Sequence, residues 1–265
     1  AWMTEPGDLN RYRNAKAIFW LGAGVDHLMK DRDLPRHVPI VRLVDPGLTA
    51  GMSEYVLLHV LRYHHRLPEQ EALQRECHWR KLEYPLAKDR RVGIMGLGVL
   101  GSDALAKLAP FGFDLAGWSR SPKQIADVAT FHGEAGLNQF LGRTEILVCL
   151  LPLTPATAGI INGRTLALLP RGACVINAAR GGHVVDGDLI AALDSGQIAH
   201  ATLDVFHREP LPAEHPFWRH PRITVTPHVA SVTIAETAVL AVYEGIVAAQ
   251  AGRPLKNTVD LSRGY

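Results

Sequence analysis

From residue 91 onward the apolar positions come in blocks. "RVGIM" is a short run that ends at glycine, and "SDALAKLAPFG" follows with its apolar positions at helical spacing and a glycine stop. "FDLAGW", "ILVCLLP", "ACVINAA", "HATLDVF" and "ITVTP" are further strand-like runs, with "GRTLALL" and "DGDLIAALDSG" as helix candidates among them. Strands that are apolar on both alternating sets of positions must be covered on both faces. Such runs, separated by helices, predict a parallel sheet with helices on either side.

Two longer helices bracket this block. Val56, Leu57, Val60 and Leu61 recur at helical spacing and predict a helix over Met52–His64. An Ala/Val-rich stretch from Ser231 to Ala251 predicts a second, stopped by Gly252-Arg253-Pro254. Ahead of Met52, "AIFWLGAGVDHL" and "IVRLVDPG" read as two strands with glycine turns, part of another α/β lobe. The tail "LKNTVDLSRGY" is expected to return to that lobe. The fold class is therefore α/β, with a Rossmann-type doubly wound parallel sheet over 51–230 and a second, smaller, discontinuous domain from 1–50 and 231–265.

Composition narrows the partners. The 265 residues carry a formal net charge of +2, and basic residues are not interleaved with aromatics, which argues against nucleic acid. Apolar runs are of strand length and broken by proline or charge, so no membrane span or secretory signal is expected. Cys77, Cys149 and Cys174 are odd in number and too scattered for a metal site, so no metal is expected. Cys149 and Cys174 sit in apolar runs and read as core residues of a protein from a reducing, cytoplasmic compartment.

Chemistry enters at Gly96-Leu97-Gly98-Val99-Leu100-Gly101, placed after a strand and before a helix. In that context Gly96 permits a tight turn, Gly98 lets a pyrophosphate approach the backbone, and Gly101 allows helix–strand packing. The first helical amides, at Val99, Leu100 and Gly101, face the phosphate charge. At the end of the second strand, where a carboxylate would select NAD, the chain has Ser119, Arg120 and Lys123. A hydroxyl and cations suit a 2′-phosphate, so NADPH is the expected cofactor and NADH a weaker alternative. Arg120 and Lys123 read equally as solvated loop charges.

Three residues after later strand-like runs carry candidate catalysis: Arg180, Glu209 and His228. His228 can hand a proton to a carbonyl oxygen. Glu209 can favour and orient its imidazolium, and Arg180 can hold a carboxylate bidentately. All three lie past strand ends, where open parallel sheets place their sites. Plainer roles exist for each: a structural hydrogen bond for His228, a loop pair with Arg208 for Glu209, a brace on Gly181-Gly182 for Arg180. His59, His64, His65, His207 and His220 read as surface or packing residues.

The segments "GLGVLG", "INAARGGHVVDGDLIAAL", "ATLDVFHREPLP" and "TPHVAS" resemble the D-isomer-specific 2-hydroxyacid dehydrogenase family. "WSR", "LLPLTPATAGIIN", "FWRHPRITVTPHVA" and the terminal "RGY" are most similar to its glyoxylate/hydroxypyruvate reductase A group. The resemblance implies Arg180 on a 2-oxoacid, Glu209 paired with the histidine, and His228 as proton donor. It adds Leu151, Pro152 and Ala178 at the cofactor, and Asp204 near the nicotinamide amide or as a turn residue. It also adds the backbone amides of Ala23 and Gly24 on the substrate carboxylate, and Trp2 as a pocket aromatic or a core residue. The family carries a longer segment before its hinge helix, so the resemblance implies a flavodoxin-like substrate domain that is N-terminally truncated, and a homodimer. The expected activity is NADPH-dependent reduction of glyoxylate or hydroxypyruvate. The alternatives are an NAD-linked dehydrogenase for another D-2-hydroxyacid and a non-catalytic dinucleotide sensor on the same fold.

Overall fold

The computed structural model describes residues 1, 4–22 and 24–261. Trp2, Ala23 and the terminal Arg263-Gly264-Tyr265 lie outside that range. The chain forms two compact units, Ala1–Gly51 together with the segment from Ser231 onward, and Met52–Ala230.

In the first unit the strands β1 (Ile18–Trp20) and β2 (Ile40–Arg42) pair in parallel, with the short helix α1 (Asp26–Met29) between them. Leu9, Ile18, Trp20, Val25, Leu28 and Ile40 form its core together with Val259 from the tail. The tail returns along β2, where Arg42 N–H donates to Asn257 O at 3.1 Å and Val259 N–H to Ile40 O at 2.8 Å.

Helix α2 runs Pro46–His64. It begins six residues ahead of the Met52 expected from periodicity, because Asp45 caps it. The Asp45 carboxylate accepts from the amides of Gly47 (2.9 Å) and Leu48 (3.2 Å), and Pro46 occupies a first-turn position that needs no amide. Helix α3 (Leu67–Arg75) follows.

The second unit then alternates strands with helices, with two exceptions. In order come β3 (Arg91–Met95), α4 (Val99–Leu108), β4 (Asp114–Ser119), β5 (Ala129–His132), α5 (Gly133–Arg143) and β6 (Ile146–Cys149). These are followed by α6 (Gly163–Leu168), β7 (Ala173–Asn177), α7 (Asp186–Asp194), β8 (Ile198–Leu203) and β9 (Ile223–Val225). The exceptions are that β4 runs on to β5, and β8 to β9, with no α-helix between them. The final helix, α8 (Ala235–Gln250), belongs to the first unit and starts four residues later than Ser231.

The seven strands of the second unit are all parallel, in the order β5-β4-β3-β6-β7-β8-β9. The chain works outward from β3 in one direction, then returns to β6 and works outward in the other. This is the doubly wound Rossmann arrangement, and its switch point lies between β3 and β6. Alternate residues feed two cores. Val92, Ile94, Ile146, Val148, Cys174 and Ile176 face one side, while Met95, Leu147, Cys149, Ala173 and Val175 face the other. Each fully buried branched chain contributes about 1.5–3 kcal/mol. Burial also pushes the Cys149 and Cys174 thiols up to about 12, which makes them inert packing residues.

Candidate active site

The carboxyl ends of the strands carry every candidate residue of the second unit. After β3, Gly96 adopts a left-handed backbone (φ 103°), and a Cβ there would lie 2.6 Å from Leu150 O. A Cβ on Gly101 would lie only 1.9 Å from Gly96 O, so the turn and the first turn of α4 are in backbone contact. Gly98 differs from both, since nothing lies within 4 Å of its Cβ direction. The loop is thus locked underneath and open above. The amides of Val99, Leu100 and Gly101, in the first turn of α4, lack intrahelical acceptors by geometry. That is the arrangement a pyrophosphate requires.

The end of β4 lies beside this loop. Ser119 is buried, and its hydroxyl donates to Ser121 O at 2.8 Å, which closes the turn that presents the exposed Arg120. Lys123 Nζ donates to Leu97 O at 2.5 Å, so a cation rests on the glycine loop itself. After β6, Leu151 is buried, and Pro152 O accepts from Thr157 Oγ1 (2.6 Å) and approaches His183 Nε2 (3.3 Å).

After β7, Ala178 and Ala179 are buried and Arg180 is partly exposed. Its carbonyl is held by Asn177 Nδ2 at 2.9 Å and approached by His183 Nδ1 at 3.1 Å, and both of those residues are fully buried. Arg180 Nη1 donates to Ala179 O at 2.7 Å. A Cβ on the next residue, Gly181, would lie 2.0 Å from the Phe206 carbonyl carbon. The Arg180 loop therefore touches the loop that carries Glu209.

The closest pairing is at the last two strands. His228 Nδ1 lies 2.6 Å from Glu209 Oε2, with the side chains 46% and 36% exposed. Glu209 Oε1 accepts from Phe206 N–H at 2.9 Å. His228 has a left-handed backbone (φ 55°), uncommon for a residue with a Cβ. Asp204, fully buried at the end of β8, holds it there. Asp204 O accepts from His228 N–H (2.8 Å), Oδ1 from Val229 N–H (2.9 Å) and Thr226 Oγ1 (2.6 Å), and Oδ2 from Ala230 N–H (2.9 Å). The carboxylate that the resemblance puts near the nicotinamide amide thus spends three contacts on the histidine turn. This duty had a faint signal in sequence, an Asp at a strand end, but its donors are identifiable only with the turn in place.

In the first unit, Gly24 is described and its carbonyl accepts from Trp20 Nε1 at 3.0 Å. Ala23 and Trp2, the other expected substrate contacts, lie outside the described residues. His207 and His215 both approach Asp186, each at 3.4 Å, and His59 and His64 are buried.

A doubly wound parallel sheet with an open glycine loop at its switch point defines a dinucleotide-binding domain of the Rossmann type. Residues 57–230 match the model of the D-isomer specific 2-hydroxyacid dehydrogenase, NAD binding domain. The chain belongs to that family. It is 48% identical over 256 residues to a glyoxylate/hydroxypyruvate reductase A of Yersinia enterocolitica, an alignment spanning 94% of this chain and 82% of that protein. Its structure superimposes with a TM-score of 0.97 on a D-isomer specific 2-hydroxyacid dehydrogenase of Xanthobacter autotrophicus Py2 solved with NADPH and MES, at 48% identity, over 100% of this chain and 84% of that one. An NADPH-dependent glyoxylate/hydroxypyruvate reductase of Sinorhizobium meliloti, solved with NADP and sulfate, gives 0.95 at 45% identity, over 100% and 85%.

Proposed function

We propose that this protein is an NADPH-dependent reductase of glyoxylate and hydroxypyruvate, forming glycolate and glycerate. The observation that carries the reading is the 2.6 Å pair between His228 Nδ1 and Glu209 at the carboxyl edge of the sheet that bears the glycine loop. Relatives named for this reaction support it.

Gly98, the Val99–Gly101 amides and Lys123 would hold the cofactor phosphates, with Leu151, Pro152 and Ala178 beside the rest of it. Arg120, presented by the turn that Ser119 closes, would take the 2′-phosphate, and two relatives solved with NADPH or NADP favour that choice over NADH. When bound, NADPH supplies the hydride. Glu209 occupies Nδ1, so Nε2 of His228 is the atom that gives its proton to the carbonyl oxygen of the 2-oxoacid. Arg180 binds the substrate carboxylate and draws electron density from the adjacent carbonyl. Selection between the two substrates rests on one hydroxymethyl group, a difference worth about 1–3 kcal/mol.

The test mixes protein, NADPH and either 2-oxoacid and follows loss of reduced-cofactor absorbance. Turnover is expected with both, and stronger with NADPH than NADH. His228→Ala should lower kcat by about 10²–10⁴ and leave the Kd for NADPH unchanged. No oxidation of cofactor by folded protein would overturn the reading.

A homodimer is part of this proposal. Leu58 on α2 and Trp79, Tyr84 and Leu86 beyond α3 are exposed, Trp79 to 96%, and they supply apolar surface suited to a second copy. Sedimentation equilibrium should give twice the monomer mass. A cytoplasmic setting fits the three free cysteines, Cys77, Cys149 and Cys174.

A further inference from the structure

Behind the His228 turn, helix α2 presents Tyr55, His59 and Tyr63 at successive four-residue intervals, all buried. Each of the three reaches a threonine directly or through its neighbour. Tyr63 OH lies 2.6 Å from Thr202 Oγ1, His59 Nδ1 lies 3.3 Å from the same oxygen, and Tyr55 OH lies 2.7 Å from Thr226 Oγ1. Only the last contact continues toward the catalytic pair, because Thr226 Oγ1 also lies 2.6 Å from Asp204 Oδ1.

The proton directions in this chain are determined by chemistry. An Asp carboxylate only accepts. Thr226 has one hydroxyl proton, and it goes to Asp204. Its oxygen is then an acceptor, so Tyr55 must donate. Both protons point at the carboxylate that fixes the backbone of residues 228–230. Burial raises the Tyr55 phenol above its ordinary range, so Tyr55 keeps that proton wherever the enzyme works. Hydrogen bonds aligned in this sense polarise and tighten one another.

We propose that the Tyr55 hydroxyl, acting through Thr226 and Asp204, is a positioning group that sets the orientation of His228 toward Glu209. The proposal rests on the reading of His228 as proton donor. Tyr55 touches neither substrate nor cofactor in this account. It stiffens the acceptor that holds the turn in its left-handed form. Loss of the donor lets Thr226 rotate, loosens one ligand of Asp204, and widens the range of imidazole positions.

The test uses the intact chain and three variants. Tyr55→Phe removes the hydroxyl and keeps the ring, and it should lower kcat about three- to tenfold while the Kd for NADPH holds. Thr226→Ser keeps the relay and should retain most of the activity. Tyr63→Phe is the control. It deletes a more deeply buried phenol–threonine bond that makes no hydrogen bond to Asp204, so it should lower Tm at least as much and leave kcat alone. His228 is also followed directly, by the NMR resonance of its Nδ1 proton at one fixed pH without substrate. That signal reports the 2.6 Å pairing with Glu209, so it should broaden or shift in Tyr55→Phe and stay as in the parent protein in Tyr63→Phe.

Equal kcat losses in the two phenylalanine variants would reduce Tyr55 to a structural role and overturn the proposal. So would an unchanged His228 Nδ1 proton signal in Tyr55→Phe. If wild-type protein fails to oxidise NADPH, the functional reading fails on its own, and that signal still decides whether Tyr55 governs His228.

Discussion

His228 and Glu209 make their mutual contact with side chains that remain partly open to solvent, whereas Asp204 does its work from full burial. The contrast follows from their tasks. A proton donor must reach its substrate, while a carboxylate that organises backbone amides gains strength from exclusion of water. Burial has the opposite effect on His59, which it penalises as a cation, with Arg62 adding repulsion against a smaller attraction from Asp204. Its pKa falls from 6.5 to about 4. Below pH 6.5 the unfolded chain therefore binds this proton before the folded one does, so stability declines as pH drops from about 6.5 toward 4, by up to about 3 kcal/mol. His64 and His200 are lowered as well and act in the same direction. Urea midpoints measured at pH 7 and pH 5 should show the loss, and His59→Gln should flatten the dependence. An unchanged slope in that variant would remove His59 from the account.

Among the elements, those that pack on both faces were the most legible in sequence. β3, β6 and β7 are nearly uniform apolar runs, and each appears in the structure close to where its run lies. β5 leaves no strand signal in the sequence. Its four residues, Ala129–His132, sit at the sheet edge with no fully buried position, so they leave no apolar block in the sequence. The start of α2 was missed for a different reason. Periodicity reports buried faces, whereas the helix begins with a cap, and the Asp45-Pro46 pair was the signal to use. The glycine loop was legible because each of its glycines answers to a separate geometric demand. Gly101→Ala should show this. The added methyl would fall on Gly96 O, so α4 must shift, and we expect a Kd for NADPH raised at least about tenfold together with a lower Tm. Gly98→Ala, which meets no protein atom, should retain the wild-type Tm while weakening the cofactor. Equal melting losses in the two variants would contradict that division.

At the scale of the molecule, the site is a composite of strand ends. Arg180, Glu209 and His228 follow the neighbouring strands β7, β8 and β9, and the glycine loop follows β3 near the middle of the same sheet. Sequence order alone placed these residues after strands. It left open whether Glu209 faces the histidine or pairs with Arg208, and could not show that Tyr55, more than a hundred positions away, belongs to the same hydrogen-bonded chain. Such contacts depend on the parallel register and leave no local pattern. The left-handed backbone at His228 has a consequence for how the protein can change. Glycine suits that conformation better than any residue with a Cβ. His228→Gly should therefore melt above His228→Ala, by about 1 kcal/mol in stability, with turnover lowered alike in both; the reverse order would show that the turn imposes no such preference. Drift judged by folding alone would pull position 228 toward glycine, so the imidazole persists there only while selection acts on turnover.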